Sequence, residues 1–397
     1  MIKLFHITTV PQSLGFFRGQ VGYVKAKGFE VYALSSQGPL LSMFGEQEQV
    51  PVYAIEMSRF ITPWRDLWAI RRLCRVLFSI RPHIVHAHTP KGGLLGMIGA
   101  WVTRVPVRIY HIHGLPLVTA KGLKRTLLRW TEKLACLLAH QVLCVSHSVR
   151  EVAIAERLCS PDKVKVLHNG SINGVDAKRA FDRARFGEEA RKQVRHKYAI
   201  PDGALVIGFV GRIVRDKGIG ELFSAWIRLR DSFPNLVLLV AGPFEAQDPV
   251  SAELAASLHN DPRIYLTGYV SDGIPALYVA MDVLVLPTYR EGFPLVPLEA
   301  AAMGLPVVAT RIPGCVDAVV DGITGMLVPP HDAGVLAEAI RTYLLSPELR
   351  RQHGDAARAR VLREFCPEDV WKAIYGEYVR LLQERLEPDT LLGVTSD

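Results

Sequence analysis

The chain has 397 residues, 49% hydrophobic and 22% charged, a globular composition that excludes intrinsic disorder and a short disulfide scaffold. At roughly 150 residues per domain, the length points to two domains. The net charge of +8 is polarised: residues 1–200 carry 30 Lys+Arg against 13 Asp+Glu, a net +17, while residues 201–397 carry 17 against 26, a net −9.

Such a field turns the first half toward an anionic partner, a phosphorylated acceptor or an anionic membrane surface. Nucleic acid is not expected, because the basic residues are spread over several elements without a recognised binding module and the acidic half would repel a polyanion. Six scattered cysteines, without metal or redox spacing, read as buried thiols in a reducing compartment. The first ten residues hold one lysine and a short apolar run and lack the pattern of a secretory signal. No apolar run approaches the roughly 18 residues needed to cross a bilayer. The expected location is cytoplasmic, with a peripheral membrane contact on that face.

In chain order, short β-branched runs alternate with helical patterns, the mark of βαβ units and parallel sheets. Strands are predicted over 3–8, 30–34, 84–88, 107–111 and 141–145, then over 205–210, 236–241, 264–266, 283–286 and 307–310. The charged stretch 169–199 between the two series is the expected interdomain connection. Two helices of the first half carry apolar stripes, Leu67, Ile70, Leu73, Leu77 and Ile80 in one and Leu123, Leu127, Trp130, Leu134 and Leu137 in the other. Each stripe is expected to pack on the sheet and leave a basic face in solvent, a face that could also meet lipid headgroups. A long amphipathic helix is predicted over 367–386, followed by a frayed tail over 387–397.

Four segments could carry chemistry. In Glu291-Gly-Phe-Pro-Leu-Val-Pro-Leu-Glu299, Glu291 falls in a strand-to-helix loop and Glu299 about one turn into the helix, both near the carboxyl edge where open parallel sheets bind ligands. Free amides at that helix start favour phosphate. Gly211-Arg-Ile-Val-Arg-Asp-Lys-Gly218 brings Arg212 and Lys217 to the first βα loop of the second half, as diphosphate binding requires, without the spacing of a Walker loop. His86 and His88, then His111 and His113, alternate on two strand ends. No acid lies between Asp66 and Glu132, so a carboxylate ligand is missing there and no metal is expected. Ser13-Leu-Gly-Phe-Phe-Arg-Gly-Gln20 follows the first strand, and Gly15 there would let a ligand approach the backbone.

Together these segments resemble family 4 glycosyltransferases over essentially the whole chain. Glu291-x7-Glu299 is the most specific element. Gly211-Arg212 with Lys217-Gly218, His86-Ala-His88-Thr-Pro90, His113-Gly114, Gly170-Ser-Ile-Asn-Gly-Val-Asp176 and Asp321-Gly-Ile-Thr-Gly325 follow in family pattern. The pattern departs at Cys315 and Asp317, where glycine and glutamate are usual, and at His83, where aspartate is common.

The resemblance implies an α/β chain of the GT-B class, two doubly wound Rossmann-like domains with an interdomain cleft. Residues 1–170 would form the acceptor-binding domain, joined by the C-terminal helix 367–386 packing back on it, and 171–366 the nucleotide-sugar domain. It also implies a retaining transfer of a hexose or N-acetylhexosamine from a nucleotide sugar, a UDP-sugar by expectation. The acceptor would be a glycan or polyprenyl-diphosphate-linked saccharide of a surface polysaccharide such as capsule or O-antigen. By the same resemblance Glu291 and His113 are the catalytic candidates, contacting the donor sugar. Arg212 and Lys217 neutralise the diphosphate, and no cofactor or metal is required. Glu299 accepts from the ribose hydroxyls, the amides of Phe293, Leu295 and Val296 hold phosphate and sugar, and Gly15 admits phosphate or acceptor. The rival reading is a nucleotide-sugar epimerase or synthase of the same architecture acting on soluble substrates.

Overall fold

The computed structural model describes residues 1–58, 60, 62–270 and 273–386; the tail expected over 387–397 lies outside them. The chain forms two compact units, Met1–Asn173 with the C-terminal segment from Pro367, and Gly174–Cys366.

The first unit runs β1 (Ile2–Ile7), α1 (Gln20–Ala26), β2 (Phe29–Ser35), α2 (Pro39–Glu48), β3 (Val52–Ala54), α3 (Pro63–Ile80) and β4 (Ile84–His88). It continues through α4 (Pro90–Val102), β5 (Val107–Ile112), α5 (Gly122–Leu138), β6 (Gln141–Cys144), α6 (His147–Ala155) and β7 (Val164–Val166). All seven strands are parallel, in the order β3-β2-β1-β4-β5-β6-β7.

The second unit runs α7 (Glu188–Lys197), β8 (Leu205–Val210), α8 (Ile219–Arg230), β9 (Leu236–Ala241), α9 (Ala252–Asn260), β10 (Ile264–Gly268) and α10 (Ile274–Ala280). Then come β11 (Val283–Leu286), α11 (Leu295–Ala302), β12 (Val307–Thr310), α12 (Cys315–Ala318), β13 (Gly325–Val328), α13 (Ala333–Leu345) and α14 (Pro347–Glu364). Its six parallel strands follow the order β10-β9-β8-β11-β12-β13. The last helix, α15 (Pro367–Arg385), returns to the first unit.

Strands such as β9, Leu-Val-Leu-Leu-Val-Ala, are buried on both faces, as a parallel sheet covered by helices on each side demands. The strands missed by sequence reasoning, β3, β7 and β13, are all sheet edges. An edge strand pairs on one side only, so three or four residues with incomplete burial suffice and no long apolar run announces it. In each sheet the strand order reverses once, between β1 and β4 and between β8 and β11, and such a switch point opens a crevice at the carboxyl ends.

Two expectations need correction. The stretch 169–199 is not mainly a connection, because its helix α7 belongs to the second unit. Arg195, buried, and Arg191 reach Asp282 at 3.3 Å and 2.9 Å and bond carbonyls of α10, so arginines dock this polar helix where an apolar stripe is lacking.

The second correction concerns α5. Its predicted stripe does not face the sheet: Leu123, Leu127, Trp130, Leu134 and Leu137 are all exposed, and Glu132, Ala135 and Cys136 are buried instead. Tyr110 of β5 donates to Glu132 Oε2 at 2.6 Å, which gives the buried carboxyl a partner. In α3 the inward residues are Ala69, Leu73, Leu77 and Ile80, with Ile70 packed beside them, but Leu67 is exposed.

The C-terminal helix docks as expected. Val370, Ile374, Tyr378 and Leu381 are buried, Tyr378 bonds His86 Nδ1 at 2.7 Å, and Trp371 donates to Asn173 at 2.5 Å.

Candidate active site

The switch point of the second unit gathers the charged candidates. The chain leaves β8 and turns through a short helical turn at Arg215–Lys217, which Gly218 closes in a left-handed conformation, φ +69°. Glycine is needed there twice over, since a Cβ at 218 would lie 1.9 Å from the carbonyl oxygen of Pro287 at the end of β11. Gly314, φ +83°, makes the same kind of approach to the carbonyl of Gly292. Between these contacts the loop after β11 is held against the turn after β8. Asp216 carbonyl accepts from the Tyr289 amide at 2.9 Å and from Thr288 Oγ1 at 3.1 Å. The Asp216 carboxylate pairs with Arg290 at 2.8 Å, and its amide donates to Asp248 at 2.8 Å.

This lacing brings Lys217 Nζ onto Glu291 Oε1 as an ion pair in which both side chains are mostly buried. The two residues come from segments 74 positions apart. Arg212 is not part of the pair: its guanidinium, half exposed, contacts Glu245 at 2.8 Å. Glu299 lies on α11, where Tyr278 donates to Oε2 at 2.7 Å and no hydrogen bond to Oε1 occurs among the described residues. Burial raises the Glu299 carboxyl above the usual range, and the Tyr278 bond opposes that shift. Pro294 stands at the cap of α11, so the amides of Leu295 and Val296 fall in its first turn, where helices lack internal acceptors. Phe293 is buried, its ring 5.5 Å from that of Phe365.

The first unit's switch point has a different lining. His6, His86, His88, His111 and His113 form one cluster: His6 Nδ1 meets His88 Nε2 at 3.1 Å, and His88 Nδ1 meets His113 Nε2 at 3.0 Å. Desolvation pushes all five down, His6 and His113 to about 3, so the imidazoles are neutral at physiological pH. Two buried ring nitrogens, His86 Nε2 and His111 Nδ1, have no partner among the described residues. Two triads, His6/His86/His88 and His88/His111/His113, bring their nitrogens within 4.8 Å and are the residues that could hold a metal. Their mutual hydrogen bonds already engage both nitrogens of His88.

Thr9 and Thr89 hydroxyls meet at 2.7 Å across β1 and β4, and Gly92 at the start of α4 donates to Thr9 at 2.8 Å. The turn Pro11–Phe17 lies over this edge, Phe16 stacking on His113 and Phe17 on His6. Gly15 in that turn faces open space, so no protein neighbour requires a glycine there.

Sequence reasoning missed Tyr278, His6 and the Thr9–Thr89 pair. Asp216 stood in view between Arg212 and Lys217, but its partner Arg290 gave no local signal.

A charged pair beside a helix start at a doubly wound switch point is suited to an anionic ligand, and comparisons with known proteins decide the family. The profile described as Glycosyl transferase 4-like domain matches residues 16–170, and that described as Glycosyl transferases group 1 matches 190–360. The capsular polysaccharide biosynthesis glycosyltransferase CapM of Staphylococcus aureus is 34% identical over 96% of this chain and 98% of its own length. The chain is a family 4-like glycosyltransferase of group 1.

An Escherichia coli relative of this glycosyltransferase, the UDP-Gal:alpha-D-GlcNAc-diphosphoundecaprenol alpha-1,3-galactosyltransferase, is 25% identical over 85% of this chain and 87% of its own. In three dimensions the chain resembles a glycosyltransferase from Rickettsia africae, TM-score 0.77 at 21% identity, covering 96% of this chain and 99% of that one. It also resembles Anabaena HepE solved with UDP-glucose, TM-score 0.78 at 20% identity, covering 96% and 100%. The fold is GT-B. No described helix is long and apolar enough to cross a membrane.

Proposed function

We propose that this glycosyltransferase moves a hexose or N-acetylhexosamine, with retention of anomeric configuration, from a UDP-sugar to a glycan or polyprenyl-diphosphate-linked saccharide during surface polysaccharide synthesis. The second unit binds the donor and the first presents the acceptor. The observation that carries this reading is the Lys217–Glu291 pair at the β8/β11 switch point. A carboxylate alone would repel a diphosphate; a carboxylate neutralised by a lysine is a preformed exchange site. The incoming diphosphate takes Lys217, and the freed Glu291 meets the donor sugar hydroxyls near the anomeric carbon.

Arg212 leaves the more exposed Glu245 to share the leaving-group charge that grows as the glycosidic bond breaks. The amides of Phe293, Leu295 and Val296 hold phosphate and sugar. Glu299, braced by Tyr278, accepts from the ribose, and His113 contacts the sugar from the first unit. Gly15, with open space before it, admits phosphate or acceptor. Two cations at the diphosphate serve in place of a metal, so no cofactor is needed. The names of the Staphylococcus aureus and Escherichia coli relatives support the pathway class and a lipid-diphosphate acceptor.

The test uses pure protein and a panel of UDP-, GDP- and ADP-sugars. The matching UDP-sugar raises the melting temperature, because a ligand bound only by the folded form stabilises it. Transfer to a lipid-diphosphate saccharide gives a product whose anomeric configuration, read by NMR, equals the donor's. Glu291→Gln lowers turnover about 100-fold or more while donor affinity survives. Turnover near wild type in Glu291→Gln would remove the assigned role. Conversion of the UDP-sugar without any acceptor would replace the reading with an epimerase.

A further inference from the structure

The turned-out stripe of α5 is one part of a larger surface. In helical projection at 100° per residue, Leu123, Leu127, Trp130, Leu134 and Leu137 centre about half a turn from the buried Glu132, Ala135 and Cys136. Leu123 is 90% exposed, Trp130 65% and Leu137 71%. In the same helical layer α4 lies between α5 and α3 and ends in exposed Trp101 and Val102. The outward side of α3 shows Trp64, 81% exposed, and Trp68, 66% exposed, in the same arc as Arg71 and Arg75. Four of the chain's six tryptophans therefore stand in water on three adjacent helices. An apolar surface of this extent on a folded protein marks a docking site.

Charge selects the occupant. Residues 60–150 hold 14 Lys+Arg and two acids, Asp66 and Glu132. Asp66 is bound to Lys91 at 2.6 Å and Glu132 is buried, so neither offsets the outward cations. Arg71, Arg75, Lys124 and Lys133 enter no ion pair among the described residues, and Lys133 sits over the Trp130 ring at 5.7 Å. A second copy of this chain would bring like charge against like charge. Tryptophan and leucine interleaved with arginine and lysine on helices lying along a surface is the composition that enters a lipid headgroup layer.

We propose that the outward face of α3, α4 and α5 is a docking surface for an anionic bilayer: its tryptophans and leucines enter the headgroup region and its arginines and lysines meet lipid phosphates. The inference goes beyond the functional reading and does not need it. It replaces the expectation of basic faces resting on headgroups with partial insertion of an apolar stripe.

The full-length protein is mixed with vesicles of phosphatidylglycerol and phosphatidylcholine, and with pure phosphatidylcholine vesicles. The mixed vesicles are expected to float the protein and shift tryptophan emission to the blue, and brominated acyl chains to quench it. The triple variant Leu123→Ser, Trp130→Ser, Leu137→Ser lowers partitioning about tenfold or more, since apolar burial drives insertion. High salt weakens wild-type binding without abolishing it, as lipid charge is screened and apolar burial is not. Should the triple variant misfold, quenching of the wild type by brominated chains decides.

Absence of flotation, wild-type partitioning by the triple variant, or emission untouched by brominated lipid would each overturn the proposal. So would a dimer that the triple variant converts to monomers while vesicles stay unbound. Transfer to a water-soluble acceptor analogue, measured in parallel, separates the two readings. Lost flotation with transfer intact supports the surface alone. Flotation without any transfer leaves the surface standing and counts against the functional reading.

Discussion

At equivalent topological positions the two units carry opposite chemistry, and the net charge of neither unit foretells it. The second unit, nearly neutral with 22 Lys+Arg against 23 Asp+Glu, places ionised groups at its switch point, with Lys217 on Glu291 and Arg290 on Asp216. The basic first unit lines its own with neutral imidazoles and threonine hydroxyls, and turns cations and aromatics outward on α3 and α5. Net charge of a unit therefore says little about the charge at its switch point. In the second unit each charge is kept by a partner brought from the neighbouring loop. In the first, burial without carboxylates removes charge altogether.

Acid breaks this comparison most strongly. The five imidazoles titrate below the usual 6.5 in the folded state, His6 and His113 at about 3, so the unfolded chain binds more protons between those limits. Stability from this cluster is complete above about pH 6.5 and is lost as pH falls below it. Glu132 opposes one of them. Burial raises it to about 7, so its contribution is complete below the ordinary carboxylate range and lost as pH rises toward 7. Melting temperature is expected to drop steeply from pH 6.5 to 4.5, and more steeply in Glu132→Gln. Five of the six tryptophans belong to the first unit and report it by fluorescence. A melting temperature flat across that range would mean the cluster is hydrated or charged in the folded state.

Much of this was legible in the sequence, for reasons that also explain the failures. Central strands such as 205–210, 236–241 and 283–286 match the structure end to end, because burial on both faces writes a continuous apolar run. The turn at Lys217 and the loop at Glu291 were legible as separate motifs; their ion pair was not, since it depends on which strand neighbours which. Tyr278 is invisible for the same reason: only the packing of α10 and α11 makes it a partner of Glu299. Helix α5 misled because periodicity reports an apolar stripe without saying what it faces. The rule that such a stripe turns inward presumes water on the other side.

The second prediction sharpens the comparison at the loop contact that makes the charged site. Gly218→Ala places a Cβ 1.9 Å from a backbone oxygen at positive φ, and neither atom has a flexible end to yield. We expect a loss of about 3 kcal/mol in stability and a fall in turnover, because the turn carrying Lys217 must withdraw from the loop carrying Glu291. Gly220 is the control, two residues on, inside α8 and facing open space. Gly220→Ala should stabilise by up to about 1 kcal/mol through helix propensity. Equal behaviour of the two variants in thermal melts and turnover would show that the close approach to Pro287 does not hold the site together.

The smallest effect is expected within the imidazole cluster and separates structural histidines from idle ones. His88 engages His6 and His113 through its two nitrogens, so His88→Phe leaves two buried ring nitrogens without partners and should cost about 2 kcal/mol. His111 is also buried, yet its Nδ1 already lacks a partner among the described residues. His111→Phe, close in shape, removes that unsatisfied group and strands no other, so its stability should lie within about 1 kcal/mol of wild type. Urea unfolding at pH 7.5, above the titration of every group in the cluster, isolates the hydrogen-bond difference from protonation. If His111→Phe proved as damaging as His88→Phe, the cluster would be held by ring packing rather than by its chain of hydrogen bonds. The contrast between a neutral, bonded first unit and a charged, paired second one would then need another physical basis.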